Sequence, residues 1–164
     1  MAKRSLQRTV GVALGLAAAA LLPAPAAAEI DFGVRGGFYD DADAGFLGAE
    51  LLTDVTGRLF FNPNLEVVLV DDGTLATLNG DVHYDIPATG DLTFWLGGGP
   101  AVIFQEIDPP RNCRNCEGVD ETDFGLNLLA GVGLERGGLR PYAQAKVILS
   151  DDTEAVLAVG LRFD

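Results

Sequence analysis

The segment Glu154-Ala155-Val156-Leu157-Ala158-Val159-Gly160-Leu161-Arg162-Phe163 decides the fold. Its odd positions, Ala155, Leu157, Val159, Leu161 and Phe163, are all apolar, and its even positions, Glu154, Val156, Ala158, Gly160 and Arg162, are small or charged. Successive side chains of a strand point to opposite faces, so this period of two predicts an amphipathic β-strand with one greasy side.

The same parity runs backwards through the chain. Leu139, Pro141, Ala143, Ala145, Val147 and Leu149 alternate with Arg140, Tyr142, Gln144, Lys146, Ile148 and Ser150. Phe124, Leu126, Leu128, Ala130, Val132 and Leu134 alternate with Gly125, Asn127, Leu129, Gly131, Gly133 and Glu135. Further upstream, Leu78, Val82 and Tyr84 oppose Thr77, Asn79, Asp81, His83 and Asp85, and Ile30, Phe32, Val34 and Phe38 oppose Asp31, Gly33, Arg35 and Gly37. No window after residue 29 holds a long helical period, and Gly- and Asp-rich turn signals recur between the segments. The spacing predicts strands at about 30–39, 45–53, 58–70, 75–86, 91–105, 123–135, 139–149 and 154–163. An even number of sequential amphipathic strands suits an all-β, antiparallel, up-and-down barrel.

Alternation alone leaves two barrels open: a soluble one with the apolar face inside, and a transmembrane one with it outside. The polar face separates them. It mixes Gly and Ala with isolated charges of both signs, which suits a narrow, crowded lumen better than a water-facing wall. Asp31, Arg35, Glu50, Glu66, Asp81, His83, Arg140, Lys146, Glu154 and Arg162 are the candidate luminal charge network. Buried there, they must pair, because an unpaired charge in a confined interior is costly.

The first 28 residues have the pattern of a secretory signal peptide. Lys3, Arg4 and Arg8 precede an uncharged run from Val10 to Leu22, and the small-residue stretch Ala24-Pro25-Ala26-Ala27-Ala28 places cleavage before Glu29. The apolar run is shorter than the roughly 17–25 residues of a spanning helix. Residues 29–164 then form one domain. The chain holds 11 Lys+Arg and 24 Asp+Glu; beyond residue 28 this leaves 8 basic against 24 acidic residues, a formal charge of −16, which argues against a nucleic-acid partner. Cys113 and Cys116 are spaced CxxC. In an exported chain that spacing points to a local disulfide, since a zinc site would need two more ligands and the one histidine, His83, is far upstream.

The connections are unequal. With Glu29 on the periplasmic side, the turns at 54–57, 87–90 and 136–138 are short and periplasmic, and the opposite end carries the one long loop, about 106–122. That end also collects an acidic external rim: Asp40, Asp41, Asp43, Asp71, Asp72, Asp151 and Asp152. Tyr39, Phe46 and Phe104 are expected near the outer boundary, and Phe60, Phe61, Tyr84 and Phe163 near the inner one, as aromatic girdles. Trp95 and Ile103 fall by parity inside the barrel.

The signal segment, the eight amphipathic strands and the ending Val156-Leu157-Ala158-Val159-Gly160-Leu161-Arg162-Phe163-Asp164 resemble the small outer-membrane β-barrel family that includes outer-membrane protein X and the barrel domain of outer-membrane protein A. The resemblance implies a monomeric, eight-stranded barrel in the outer membrane of a Gram-negative cell. It implies lipid and lipopolysaccharide as surroundings, and a closing strand read by the barrel-assembly machinery, whose usual terminal aromatic is here Phe163, followed by Asp164.

Four functions follow as alternatives. The first is a structural or surface-interaction role, with divalent cations at the acidic rim as candidate partners, since clustered carboxylates suit hard cations. The second is a narrow porin-like ion channel, opposed by the fact that eight strands leave a lumen that side chains fill. The third is a periplasmic soluble ligand-binding barrel. The fourth is a lipid A-modifying enzyme. For the enzyme, Ser150 and His83 are predicted at opposite ends of the barrel, too far apart for a nucleophile and its base, so no catalysis and no cofactor are expected.

Overall fold

The computed structural model describes residues 30–70, 73–107, 119–135 and 137–163. Eight strands follow in order: β1 (Ile30–Tyr39), β2 (Ala44–Asp54), β3 (Leu59–Val68), β4 (Gly73–Pro87), β5 (Leu92–Ile107), β6 (Val119–Leu134), β7 (Leu139–Leu149) and β8 (Glu154–Phe163). Each pairs antiparallel with the next, and β8 pairs with β1, so the sheet closes into a barrel. Closure leaves the wall without a lateral edge, so its backbone donors and acceptors are satisfied within the sheet.

The seam shows how parity becomes architecture. Phe32 stands opposite Phe163, Val34 opposite Leu161 and Phe38 opposite Leu157, so apolar residues of the first and last strands meet on the outer face. Because the side-chain period is two, a slip of one residue would turn both sets inside out. The outward set is apolar and exposed on every strand, including Phe32, Leu47, Leu65, Leu96, Leu128 and Val159. The inward set is buried and largely polar.

The strand limits differ from the sequence expectation chiefly at one end. Strands β4, β5 and β6 run further than predicted. Ile103 to Ile107 pair with Asp123 to Val119, and Gly73 pairs with Ile107. Ladder hydrogen bonds carry these strands past the point where the apolar alternation stops, so residues 106, 107 and 119–122 of the predicted loop 106–122 belong to strands. The signal segment, Asp71, Asp72, Cys113 and Cys116 lie outside the described residues.

Candidate functional site

The barrel interior is the candidate site, because alternation aims the chemistry-bearing side chains of all eight strands at one axis. At its centre stand two glutamates, Glu50 from β2 and Glu66 from β3. Glu66 is fully buried. Lys146 Nζ donates to it at 2.8 Å, Thr77 Oγ1 at 3.2 Å, and the Tyr39 hydroxyl donates to the same oxygen. Glu50 accepts from Arg162 Nε at 2.8 Å and from Asn62 Nδ2 at 3.3 Å. Arg35 from β1 joins the two, with Nη1 3.4 Å from Glu50 and Nε 3.2 Å from Glu66.

A ladder of amides continues the network across the barrel. Asn127 Nδ2 donates to Asp81 at 2.7 Å and to Asn79 at 2.8 Å, and Asn79 donates to Asn64, which donates in turn to Asp81 at 3.0 Å. Arg35, Lys146 and Arg162 balance Glu50, Glu66 and Asp81 in formal charge. Each carboxylate thus has charged or amide donors, the condition under which buried ions are tolerated.

Two apolar layers close this polar belt above and below. Toward the end bearing the β1–β2, β3–β4, β5–β6 and β7–β8 connections, Tyr39, Phe46, Val68, Ala101, Ile148 and Val156 pack together. Tyr39 and Phe46 meet edge to face, ring centroids 5.3 Å apart. Toward the other end, Trp95, Leu129 and Tyr142 form a second cluster. Arg162 caps it over the Tyr142 ring at 4.4 Å, and His83 lies between Phe60 and Trp95, its ring centroid 5.6 and 5.5 Å from theirs. Bulky rings fit because small residues face them: a Cβ on Gly131 would fall 2.2 Å from the Trp95 indole, and one on Gly160 2.4 Å from the Tyr142 ring.

Most of the predicted luminal charges therefore meet. Arg35, Glu50, Glu66, Lys146 and Arg162 share one network, and Asp81 is tied to it through Asn64 and Asn79. His83 Nδ1 pairs with Asp85 at 2.9 Å, and Arg140 pairs with Asp31 near the end where β1 begins. Glu154 does not join them. It sits at the opposite rim and accepts from the Asp41 backbone N–H at 2.8 Å, because β8 starts above the apolar layer. The girdle expectation also needs correction. Tyr39 and Phe46 are buried inside, and Phe60 turns inward onto His83, whereas Phe104, Tyr84 and Phe163 are exposed on the outer face. A ring near a strand end belongs to whichever face its parity selects, and Tyr39, Phe46 and Phe60 have luminal parity.

The acidic rim is open. Asp40, Asp41, Asp43, Asp151 and Asp152 are all exposed. Below them is a cup of about 330 Å³ with Tyr39, Ile103 and Ile148 at its floor and Asp41, Asp123 and Glu154 on its wall. Among the described residues, no three carboxylate, imidazole or thiol groups converge to hold a metal ion. Ser150 stands at this rim, where its hydroxyl donates to the Asp152 carbonyl, and His83 lies below the central belt.

The asparagine ladder was missed as a functional element by sequence reasoning. Asn62, Asn64, Asn79 and Asn127 share luminal parity, and that shared parity was the available signal.

No family model matches the chain, and neither does any curated protein. Solved structures do. Neisserial surface protein A superposes with a TM-score of 0.69 at 12% identity, covering 84% of this chain and 99% of that one. The N-terminal β-barrel domain of Pseudomonas aeruginosa OprF gives 0.66 at 15% identity, covering 84% and 98%. The outer membrane enzyme PagL gives 0.52 at 10% identity, covering 82% and 100%. The chain has the fold of the small outer-membrane β-barrels. Since that fold serves an enzyme as well as surface proteins, activity must be argued from side chains.

Proposed function

We propose that the protein is a monomeric outer-membrane β-barrel with a structural or surface-interaction role, exported by residues 1–28 and presenting its acidic rim outside the cell. The observation that carries this reading is the inversion of polarity across the wall. Ionic and amide side chains are buried in the lumen, while large aliphatic and aromatic residues are exposed all round the outside. In water such an exterior would aggregate, because soluble monomers rarely expose contiguous apolar patches above a few hundred Å². In a bilayer it is the required surface, and a closed barrel is one of the two ways a backbone can cross lipid. The inversion also weighs against a soluble periplasmic barrel, whose greasy face would form the core.

The filled lumen supports anchoring over conduction. The central belt holds each carboxylate by direct contacts, and the Tyr39–Phe46–Ile148 layer lies across the axis above it. A narrow pore is the second reading, favoured by the polar lining alone, and it requires that layer to move. Against catalysis, Ser150 and the His83–Asp85 pair occupy different levels of the barrel. Lipid, lipopolysaccharide and the assembly machinery are the partners this reading implies. The acids of the rim are the site at which divalent cations would bridge it to anionic headgroups.

The test is to express the protein, isolate outer membranes, and run the fraction heated and unheated on a denaturing gel. Recovery there with a heat-dependent mobility shift is expected. Recovery in the soluble periplasm would overturn the reading, and discrete conductance steps in a planar bilayer would replace anchoring with the pore.

A further inference from the structure

Pro63 lies in the middle of β3 and brings no backbone N–H to the sheet. The ladder between β2 and β3 registers Glu50 with Asn64 and Thr53 with Phe61, and it omits the two pairs between them, Leu51 with Pro63 and Leu52 with Asn62. The bonds at its ends set which of these should exchange hydrogen bonds. Val55 N–H donates to the Leu59 carbonyl at 2.8 Å, and Leu69 N–H to the Gly45 carbonyl at 2.8 Å. Hydrogen-bonded pairs alternate along an antiparallel ladder, so counting by twos from either end makes Leu51 and Pro63 a hydrogen-bonded pair. The Leu51 carbonyl therefore faces a ring nitrogen that carries no hydrogen. The same omission recurs where Pro100 stands opposite Gly80 between β4 and β5, while the other flank of each proline is registered without a break, Pro63 with Gly80 and Pro100 with Leu126.

The residue before Pro63 has the means to fill this gap. Asn62 has luminal parity and is buried, and its Nδ2 donates to the Leu51 carbonyl at 2.7 Å. The same nitrogen lies 3.3 Å from Glu50 Oε2. A side-chain amide carries two N–H donors, so one can serve the wall and the other the carboxylate. Both neighbours are acceptors, which fixes the orientation of the amide: turned over, its oxygen would meet two oxygens. In a wall that faces lipid there is no water to replace a missing donor, so the carbonyl must find one within the protein.

We propose that Asn62 is the positioning residue of the β2–β3 seam: its side chain stands in for the N–H that Pro63 lacks and ties the barrel wall to the luminal network through Glu50. The network around Glu50 and Arg35 thus holds the wall as well as filling the lumen. The bond rests on geometry, and the weight it carries in lipid rests on the membrane reading.

The test is a double-variant cycle on the protein folded into phospholipid vesicles, with urea unfolding followed by the fluorescence of Trp95. Asn62→Ala is expected to lower the folding equilibrium constant about tenfold or more, since it leaves a carbonyl without a donor. Pro63→Ala returns a backbone N–H opposite Leu51, and in the chain carrying it Asn62→Ala is expected to lower the constant by less than about threefold. Equal losses in the two backgrounds would show that Asn62 serves Glu50 alone and would overturn the proposal. Where Asn62→Ala by itself does not fold, Asn62→Ala combined with Pro63→Ala is expected to fold and to keep the heat-dependent gel shift of the parent, and failure of that pair to fold would overturn the proposal as well. A failure of the membrane reading would show elsewhere, as recovery of the unaltered protein in the soluble periplasm.

Discussion

The guanidinium of Arg35 spans Glu50 and Glu66, 3.4 Å from the first and 3.2 Å from the second, so one side chain of β1 ties β2 to β3 across the barrel interior. Each acid keeps another cation when Arg35 is removed, Arg162 for Glu50 and Lys146 for Glu66, yet the centre then carries an excess of negative charge. Arg35→Ala is expected to lower unfolding stability by about 3–5 kcal/mol, the cost of breaking a buried pair. Arg35→Lys should recover only part of this, since an ammonium lacks the planar fork that reaches two acceptors. Urea unfolding in lipid vesicles, followed by tryptophan fluorescence, measures both.

Trp95 is the one tryptophan of the chain and sits over Gly131, so the packing there has its own reporter. Gly131→Ala is expected to displace the indole, shift its emission and cost about 1–3 kcal/mol, as overpacking does. An unchanged spectrum would show that the ring does not pack over Gly131.

Lys146 is the only lysine beyond residue 28, and it is 2% exposed with its ammonium on Glu66. An amine-reactive reagent is expected to leave Lys146 largely unmodified in the folded barrel and to label it after unfolding, as peptide mass spectrometry would show. Tyr39→Ala with Phe46→Ala opens the apolar layer above it and should speed labelling. Fast labelling of the unaltered protein would mean that the lumen is open to solvent.

Val159 stands on the outer face, 63% exposed, midway along β8, between Gly36 and Ala143 of the flanking strands. Val159→Arg is expected to cost about 2–4 kcal/mol for folding into a bilayer, the penalty for a cation at the midplane. The same change at the exposed turn residue Thr153 should cost little. Urea titrations in vesicles compare the two, and equal small effects would place the outer face in water.

Much of this architecture follows from parity. Glu154 to Phe163 already separates an apolar set from a small and charged one, and the same rule places Trp95, Asn127 and Lys146 inside without any knowledge of neighbours. The number of strands follows because a two-residue period is a property of the chain itself, the composition of the polar face gives the sign of the outer one, and closure is seen in the β8–β1 ladder. What parity does not carry is height along the axis. Glu154 has luminal parity yet lies at the rim, and Tyr39, Phe46 and Phe60 are rings near strand ends that face inward. Their depth depends on how strands are staggered against one another, and that is decided only when all the ladders form together. The same stagger leaves β6 longer than β7, and it brings Arg35 between two acids that lie 15 and 31 positions further along the chain. The sequence by itself determined which residues share a face, because alternation is local; the tertiary structure decided which of them touch, because contact across a closed barrel depends on register between strands far apart in the chain.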